Sequence, residues 1–184
     1  MLLVAAHEQL PVAQARAGKS EAWDALFRRF QKPLYVFAYE LVHDEQASLD
    51  IVQETFIAAT RHLGSLRDDA KFGSWLFGVA HQKCQQRWRK HDREKEALEK
   101  FAATPEELET DPSDLLLRLE QEAEFMKLLD QLPPPHRAVL LLHFMEDFSL
   151  EDIAAVTATP LGTVKSRLHY AKKMLRTLWE VKVT

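Results

Sequence analysis

The closing quarter of the chain, SLEDIAAVTATPLGTVKSRLHYAKKMLR, contains the start signals of two helices separated by a tight turn. Ser149 offers a side-chain cap, and Asp152 follows three positions later near the positive end of the new helix. The stretch from Thr157 to Pro160 interrupts the apolar pattern, with Thr159 suited to cap the next helix and Pro160 to its first position. We therefore predict a helix-turn-helix.

The second of these helices has charge on one side only. At about 100° per residue its apolar stripe is Val164, Leu168, Ala171 and Leu175. The opposite face carries Lys165, His169, Lys172, Lys173 and Arg176. No Asp or Glu occurs from Ile153 through Trp179, so nothing in this stretch neutralises the face. Such a face can contact phosphates and base edges in a major groove, and the alternative is a solvated basic helix. The combined pattern favours DNA binding.

Composition limits the classes of protein to which the chain can belong. The chain is 46% hydrophobic and 28% charged, no apolar run approaches the roughly 18 residues that span a membrane, and the first residues lack a basic leader. We expect a cytoplasmic protein without membrane insertion. Cys84 is the single cysteine, which excludes an intrachain disulfide and a thiolate-rich zinc site. The histidines lack metal-ligand spacing and no glycine-rich phosphate loop occurs, so we expect no metal, no cofactor and no enzyme.

Charge is distributed unevenly. Residues 1–91 have 12 Lys or Arg against 10 Asp or Glu (net +2), residues 92–131 have 5 against 13 (net −8), and residues 132–184 have 7 against 5 (net +2). The acidic segment includes FAATPEELETDPSD, whose prolines and charge make it a poor core. We predict an all-α fold of two small helical domains, 1–91 and 123–184, joined by an acidic flexible linker, 92–122.

The first domain is predicted to contain three helices. An apolar stripe runs from about Ser20 to Val42, formed by Trp23, Leu26, Phe27, Phe30, Leu34, Phe37 and Leu41, with Pro33 predicting a bend or restart. A second helix, from about Glu45 to Leu63, has Leu49, Val52, Phe56, Ala59 and Leu63 as its buried stripe. Its other face combines acids, an amide and an aliphatic residue: Asp50, Gln53, Glu54 and Ile57. This face suits a basic partner helix or is simply solvated.

The third helix, FGSWLFGVAHQKCQQRWRK, interleaves aromatics, amides and cations. Packing is expected for Phe72, Trp75, Leu76, Val79 and Ala80, and accessibility for His81, Gln82, Gln85, Arg89 and Lys90. The mixture suits single-stranded nucleic acid, because aromatics stack on bases while cations and amides contact phosphates and base edges. The alternative is that Trp75 and Trp88 belong to the core. His81 and Cys84 are only two ligands and do not make a metal site.

Four segments together resemble one family. FRRFQKPLYVFA, SLDIVQETFIAA and FGSWLFGVAHQKCQQRWRK look like region 2 of the extracytoplasmic-function sigma factors, and LPPPHRAVLLLHFMEDFSLEDIAAVTATPLGTVKSRLHYAKKMLR looks like their region 4. The resemblance covers most of the chain in family order, and DIVQETF together with LGTVKSRL is highly specific. It implies a dissociable, non-enzymatic subunit that gives bacterial core RNA polymerase its promoter specificity.

The resemblance also implies roles for particular residues. Asp50, Gln53 and Glu54 match the positions that dock on the clamp helices of the largest catalytic polymerase subunit. Positions that capture flipped-out bases of the minus-ten element and hold the melted strand are matched by Phe72, Trp75, His81 and Gln82, with the segment Leu66 to Lys71 before them. Base contacts to the minus-thirty-five element are matched by Ser166, His169 and Tyr170, and phosphate contacts by Thr163, Lys165, Arg167, Lys172 and Lys173.

Several residues depart from the family pattern. His81-Gln82 stands where Arg-Asn is frequent, Tyr170 where Arg is frequent, and Leu49 where an acid is frequent, so the promoter sequence cannot be carried over. The resemblance further implies an anti-sigma factor that covers the polymerase-binding surfaces. Two alternatives stay open: a stand-alone helix-turn-helix regulator, which has no need of the DIVQETF face, and a sigma mimic that sequesters an anti-sigma factor without reading DNA.

Overall fold

The computed structural model describes residues 10–98 and 126–183, with side chains for 10–89 and 126–178. Its helices are α1 (Val12–Arg16), α2 (Ser20–Val42), α3 (Glu45–His62), α4 (Phe72–Leu98), α5 (Pro134–Met145), α6 (Leu150–Thr157) and α7 (Leu161–Val183). Short 3₁₀ turns occupy Leu63–Ser65 and Asp69–Lys71, and residues 126–130 are helical. Within the described ranges there is no β-strand, and the all-α prediction is confirmed.

Local capping explains where α2 and α3 meet. His43 closes α2 in the left-handed conformation, at φ 51°, and its N–H donates to the Tyr39 carbonyl at 2.8 Å. Asp44 then caps α3, because its side chain accepts from the Ala47 N–H at 2.6 Å. Helix α2 continues through Pro33 without restarting. Both helices therefore lie within one residue of the predicted bounds.

The buried face of α3 differs from the predicted one. Leu49 is 42% exposed, whereas Ile51 and Thr55 are buried beside Val52, Phe56 and Ala59. Thr55 tolerates burial because its hydroxyl donates to the Ile51 carbonyl at 2.6 Å. On α2, Phe27 is 39% exposed instead of buried, with its ring 4.9 Å from that of Phe56.

Helix α4 is the long element of the first domain and packs on both α2 and α3. Its buried side chains include Phe72, Leu76, Phe77, Ala80 and the lone Cys84. Burial raises the pKa of the Cys84 thiol to about 12. The helix runs to Leu98, so the first seven residues of the predicted linker, 92–98, are helical. The linker residues 99–122 lie outside the described part of the chain.

The second domain contains the predicted helix-turn-helix as α6 and α7. Ser149 caps α6, with its hydroxyl oxygen accepting from the Asp152 N–H at 3.1 Å. Ala158 ends α6 in the left-handed conformation, at φ 49°. Helix α7 begins at Leu161, so Pro160 lies just before the helix and not at its first position. The Thr159 hydroxyl contacts the Thr157 hydroxyl at 2.8 Å, whereas the sequence predicted that Thr159 caps α7.

The two domains share one hydrophobic core in this structure. Helix α6 packs on α4, and α5 packs on α2. Phe148, in the turn between α5 and α6, meets Phe77 edge to face with ring centroids 5.5 Å apart. Arg137 on α5 is 4% exposed and donates to the backbone carbonyl of Glu40 on α2. The packing between domains lies outside what the sequence predicted.

Candidate nucleic-acid and protein interfaces

The outer face of α3 is available for a partner. Gln53, Glu54 and Ile57 are exposed, Ile57 by 50%, and Asp50 is half-buried. Leu49, Gln53 and Ile57 recur at four-residue spacing, so they follow one another along the same side of the helix. The surface therefore combines apolar and acidic groups, as a docking site for an amphipathic basic helix requires.

Two cations on α4 complete this face, and sequence reasoning missed both. Lys83 Nζ lies 2.9 Å from a Glu54 carboxylate oxygen, and Arg87 Nη2 lies 3.3 Å from an Asp50 carboxylate oxygen. Lys83 and Arg87 are four residues apart, so they lie on the same side of α4. This spacing could have indicated that both face the acidic residues of a neighbouring helix. The acids of α3 are thus already paired before any partner binds.

Phe72 belongs to the core of the first domain. Its exposed fraction is 0%, its ring centroid lies 5.6 Å from that of Phe30, and Trp75 packs on it at 5.9 Å. This placement corrects the expected direct contact of Phe72 with DNA, because a fully buried ring offers no surface to a base. The aromatic that remains partly accessible at this end of α4 is Trp75.

The other expected minus-ten residues lie along a cleft between the domains. The cleft is about 690 Å³ and is lined on the α4 side by Trp75, His81, Gln82, Gln85 and Arg89. Gln82 and Arg89 are exposed, and Trp75 and Gln85 are half-buried. The opposite wall is α6 and its turn, from Asp152 to Ala158. Of the preceding segment, Leu66 and Lys71 line the same cleft.

His81 is buried, which corrects the prediction that it is accessible. It is 5% exposed, with the ring of Phe37 from its own domain 6.4 Å away and the Val156 backbone of the second domain within hydrogen-bond reach. Burial and, to a smaller extent, the positive charge of Arg167 lower the pKa of His81 to about 4, against a hydrogen bond to the Val156 backbone that raises it. The imidazole is therefore neutral at pH 7 in this arrangement.

The basic face of α7 is open to solvent. The exposed side chains among those expected to contact the minus-thirty-five element are Lys165, Ser166, His169, Tyr170, Lys172 and Lys173. Tyr170 is 56% exposed, with its ring next to that of His169 at 5.8 Å. Thr163 and Arg167 are half-buried, and Arg167 lies on the side nearest His81.

Phe144 adds an aromatic to this surface that sequence reasoning missed. It is 60% exposed at the end of α5, and Lys172 Nζ lies 5.2 Å from the centre of its ring. A cation over an aromatic face at this distance is attracted to it. The ring therefore orients Lys172 on the open side of the domain.

Across 10–98 and 126–183 no group of three or more His, Cys, Asp or Glu side chains is placed to hold a metal ion. None of the helices in these ranges is long and apolar enough to cross a membrane.

Fold and surfaces together define a class: a two-domain helical protein with an open helix-turn-helix and a second, separate helical face on which exposed acidic and apolar groups combine. The family models agree with this division. The model for sigma-70 region 2 matches residues 26–94, and the model for sigma-70 region 4 matches residues 122–175.

Relatives that match nearly the whole chain identify the protein family within this class. The chain is 32% identical over 182 residues to the RNA polymerase sigma-H factor of Pseudomonas aeruginosa, covering 95% of this chain and 94% of the relative. It is 26% identical over 173 residues to the ECF RNA polymerase sigma factor SigW of Bacillus subtilis, covering 90% and 92%. The chain belongs to the extracytoplasmic-function (ECF) sigma factors. It is an RNA polymerase sigma factor, which directs core polymerase to promoters and promotes DNA opening.

Solved structures support the same fold. CnrH, solved in complex with the cytosolic domain of CnrY, matches with a TM-score of 0.67 at 25% identity, over 94% of this chain and 97% of CnrH. RpoE of Bartonella quintana, solved in complex with the anti-sigma factor NepR, matches with a TM-score of 0.69 at 24% identity, over 88% and 98%. Sigma factors are in general non-enzymatic DNA-binding initiation factors.

Proposed function

We propose that the outer face of α3 is the surface by which this sigma factor binds core RNA polymerase. Asp50, Gln53, Glu54 and Ile57 dock on the clamp helices of the largest catalytic subunit. The observation that carries the proposal is that this face stays open while the basic face of α7 is open too. A stand-alone DNA-binding regulator needs the second face alone.

The basic face of α7 reads the minus-thirty-five element. Ser166, His169 and Tyr170 meet base edges, and the cations Lys165, Lys172 and Lys173 meet phosphates on either side. Thr163 and Arg167 contribute phosphate contacts at the end nearest the first domain. Tyr170 offers an apolar ring and one hydroxyl, so its contact differs in kind from the bidentate contact of an Arg.

The α4 side of the cleft holds the minus-ten strand. Trp75 supplies a stacking surface, Gln82 and Gln85 supply amides for base edges, and Arg89 supplies charge for the backbone. His81 completes the surface once the second domain has moved away from it. Phe72 supports Trp75 from the core. Extracting a base costs a few kcal/mol of stacking, which stacking on an aromatic side chain offsets.

This function uses binding energy and no covalent chemistry, so the chain is not an enzyme and needs neither metal nor cofactor. It acts in the cytoplasm, where core polymerase transcribes. An anti-sigma factor is its second protein partner, as NepR is for RpoE in the similar structure. Such a partner competes with polymerase for the α3 face.

Run-off transcription with purified core polymerase on genomic fragments tests the proposal. We expect discrete transcripts that depend on the added chain and that reveal the two promoter elements. A helix-turn-helix regulator would bind duplex DNA without associating with core enzyme, and a sigma mimic would bind neither promoter element. Failure of the pure chain to associate with core polymerase defeats the proposal.

A further inference from the structure

Residues 66–71, which lead from α3 into α4, form part of the wall of the cleft proposed to hold the minus-ten strand. Leu66 and Lys71 line that cleft together with Trp75. The segment consists of an irregular stretch, 66–68, and the second 3₁₀ turn, so much of its backbone lacks the repeating hydrogen bonds of a helix. Such a stretch loses conformational freedom when it binds a ligand, unless other groups already hold it. Its conformation is therefore part of minus-ten recognition.

Arg16, at the end of α1, holds this segment from outside. Its Nη2 donates to the Leu66 carbonyl at 3.2 Å and to one carboxylate oxygen of Asp69, and its Nη1 donates to the other at 3.4 Å. Leu66 begins the irregular stretch and Asp69 follows it directly, so one guanidinium fixes both ends of that stretch. A lysine cannot reproduce this arrangement, because its ammonium is a point charge and the guanidinium is a planar fork.

Helix α1 gives Arg16 a fixed base on the first domain. Val12 and Ala15 are buried, and α1 packs on α2. The indole N–H of Trp23 on α2 donates to the Ala15 carbonyl at 3.0 Å. Directly after the helix the chain turns at Gly18, whose φ of 82° lies in the left-handed region that favours glycine. The residue before Arg16 is thus tied to α2, and the guanidinium reaches the segment from a defined position.

Arg16 also changes the charge that the segment presents to DNA. Residues 66–71 contain two cations and two acids: Arg67, Lys71, Asp68 and Asp69. Their net charge is zero, so by itself the segment offers a phosphate backbone no net attraction. Arg16, paired with Asp69, brings the sum to +1. The fork of Arg16 and its charge are therefore two separate contributions, and an experiment has to distinguish them.

We propose that Arg16 is a positioning residue for minus-ten recognition: by holding residues 66–71 in one conformation, it sets which base is accepted beside Trp75. The inference rests on the proposed function, because that function places the minus-ten strand in this cleft. Arg16 precedes residue 26, where the match to the sigma-70 region 2 model begins. It acts through the segment and not by contacting DNA, so its removal leaves polymerase binding and minus-thirty-five binding unchanged.

Base selectivity at the minus-ten element tests this role. A promoter recovered by run-off transcription is prepared as a set in which each minus-ten position carries each of the four bases, and core polymerase with the full chain transcribes the set. Arg16→Ala should lower discrimination about fivefold at one or two adjacent positions and leave the other positions unchanged. Asp69→Ala should affect the same positions, because it removes the partner of the same fork.

A double-mutant cycle separates positioning from direct contact. If Arg16 acts through Asp69, Arg16→Ala/Asp69→Ala should lose at most about twofold more selectivity than the more impaired single variant. If Arg16 instead bound a phosphate, Asp69→Ala would release it and tighten DNA binding, and that result overturns the proposal. Arg16→Lys keeps the charge without the fork and should remain impaired. Full recovery of selectivity by lysine would show that charge alone suffices, and would equally overturn it.

An exposed pair on α2 provides the matched control. Arg28 Nη2 lies 2.7 Å from a carboxylate oxygen of Asp24, and both side chains are more exposed than those of the Arg16–Asp69 pair. Asp24→Ala/Arg28→Ala should change selectivity at no minus-ten position. Circular dichroism shows that each variant is folded, and co-purification shows that it binds core polymerase. If Arg16→Ala does not fold, Asp69→Asn, which keeps the shape of the side chain, takes its place in the comparison.

The outcomes separate the two proposals. Wild-type selectivity at every minus-ten position, in variants of Arg16 and Asp69 that fold and bind polymerase, overturns the positioning role and leaves the sigma-factor assignment standing. Absence of transcription with the wild-type chain instead defeats the proposed function.

Discussion

Two helices of this chain are proposed to read promoter DNA, and their surroundings differ. The basic face of α7 is exposed wherever its side chains are described, whereas α4 has His81 and Gly78 beneath the second domain. Both helices carry cations, amides or aromatics suited to nucleic acid, so residue type does not distinguish them. The difference lies in packing between domains. A binding surface can thus be complete in its chemistry and still be inaccessible in the free chain.

The largest expected effect concerns Phe72, which was predicted to contact DNA but lies in the core. Phe72→Ala should lower the free energy of unfolding by about 3–5 kcal/mol, because it removes a fully buried ring. Urea unfolding followed by circular dichroism measures this. Phe72→Leu should cost less than about 1.5 kcal/mol and keep transcription. Weaker single-strand binding by Phe72→Ala with no loss of stability would return this residue to the DNA-contacting set.

The open α3 face provides the next largest effect. The double reversal Asp50→Arg/Glu54→Arg should weaken association with core polymerase about 100-fold, since it replaces attraction to a basic helix by repulsion. It also removes exposed pairs with Lys83 and Arg87, which contribute at most about 1 kcal/mol each to folding. Co-purification with core enzyme gives the readout. Glu21→Arg/Asp24→Arg on the exposed side of α2 is the matched control, and equal loss in both variants would contradict the assignment.

The proposed phosphate contacts of the exposed α7 face are tested by the salt dependence of duplex DNA binding. Lys165→Ala/Lys172→Ala/Lys173→Ala should weaken duplex binding about 30-fold at low salt. Each lost phosphate contact should flatten the slope of log affinity against log salt by about 0.9. Lys19→Ala/Lys32→Ala/Lys127→Ala, three exposed lysines elsewhere, should change the slope less. An unchanged slope in the α7 variant means that these lysines do not contact phosphates.

The smallest expected effect lies at the interface itself, where Glu40 is 6% exposed and one carboxylate oxygen lacks a hydrogen-bond partner among the described residues. Burial and, to a smaller extent, repulsion from Asp130 raise the pKa of Glu40 to about 7, although the positive charge of Arg137 opposes the shift. Because the folded pKa lies above the unfolded value of 4.5, the cost to stability is full above pH 7 and vanishes below pH 4.5.

Glu40→Gln should therefore raise the free energy of unfolding by about 1 kcal/mol at pH 8 and by progressively less as the pH falls towards 4.5. Thermal melting at the two pH values measures the difference. Exposed Glu21→Gln should show no such trend. A stabilisation that grows as the pH falls would contradict the buried, charged carboxylate.

The parts of the fold that follow from neighbouring residues were predictable from sequence. The cap at Ser149, the apolar stripe from Ser20 to Val42 and the basic face of α7 all depend on spacing within one helix, and each appears where expected. Most of the predicted stripe of α3 is buried, but Leu49 is exposed. Thr55 was missed because it is a polar residue, yet its hydroxyl is satisfied within the helix. Helical periodicity shows which positions are polar, but it does not show whether a polar side chain finds a hydrogen-bond partner that allows it to be buried.

The packing of the second domain over α4 was not predictable from the spacing of residues within one helix. His81 was predicted to be accessible because it is polar, but it is buried. Only the fold shows that Lys71 and Asp152 meet across two domains. Arg137 gives the same lesson, because it donates from α5 to the Glu40 carbonyl 97 positions away. Charge complementarity at that separation has no signature in a helical pattern.

Cys84, buried on α4, decides how the chain can be studied. Its thiol has a pKa raised to about 12, so at neutral pH almost none of it is thiolate, the form that reacts with maleimides and disulfides. Dyes or spin labels attached to cysteines introduced elsewhere will therefore report their own positions without a background from the native thiol. A labelled pair, one on each domain, can report the distance between the two domains as polymerase is added.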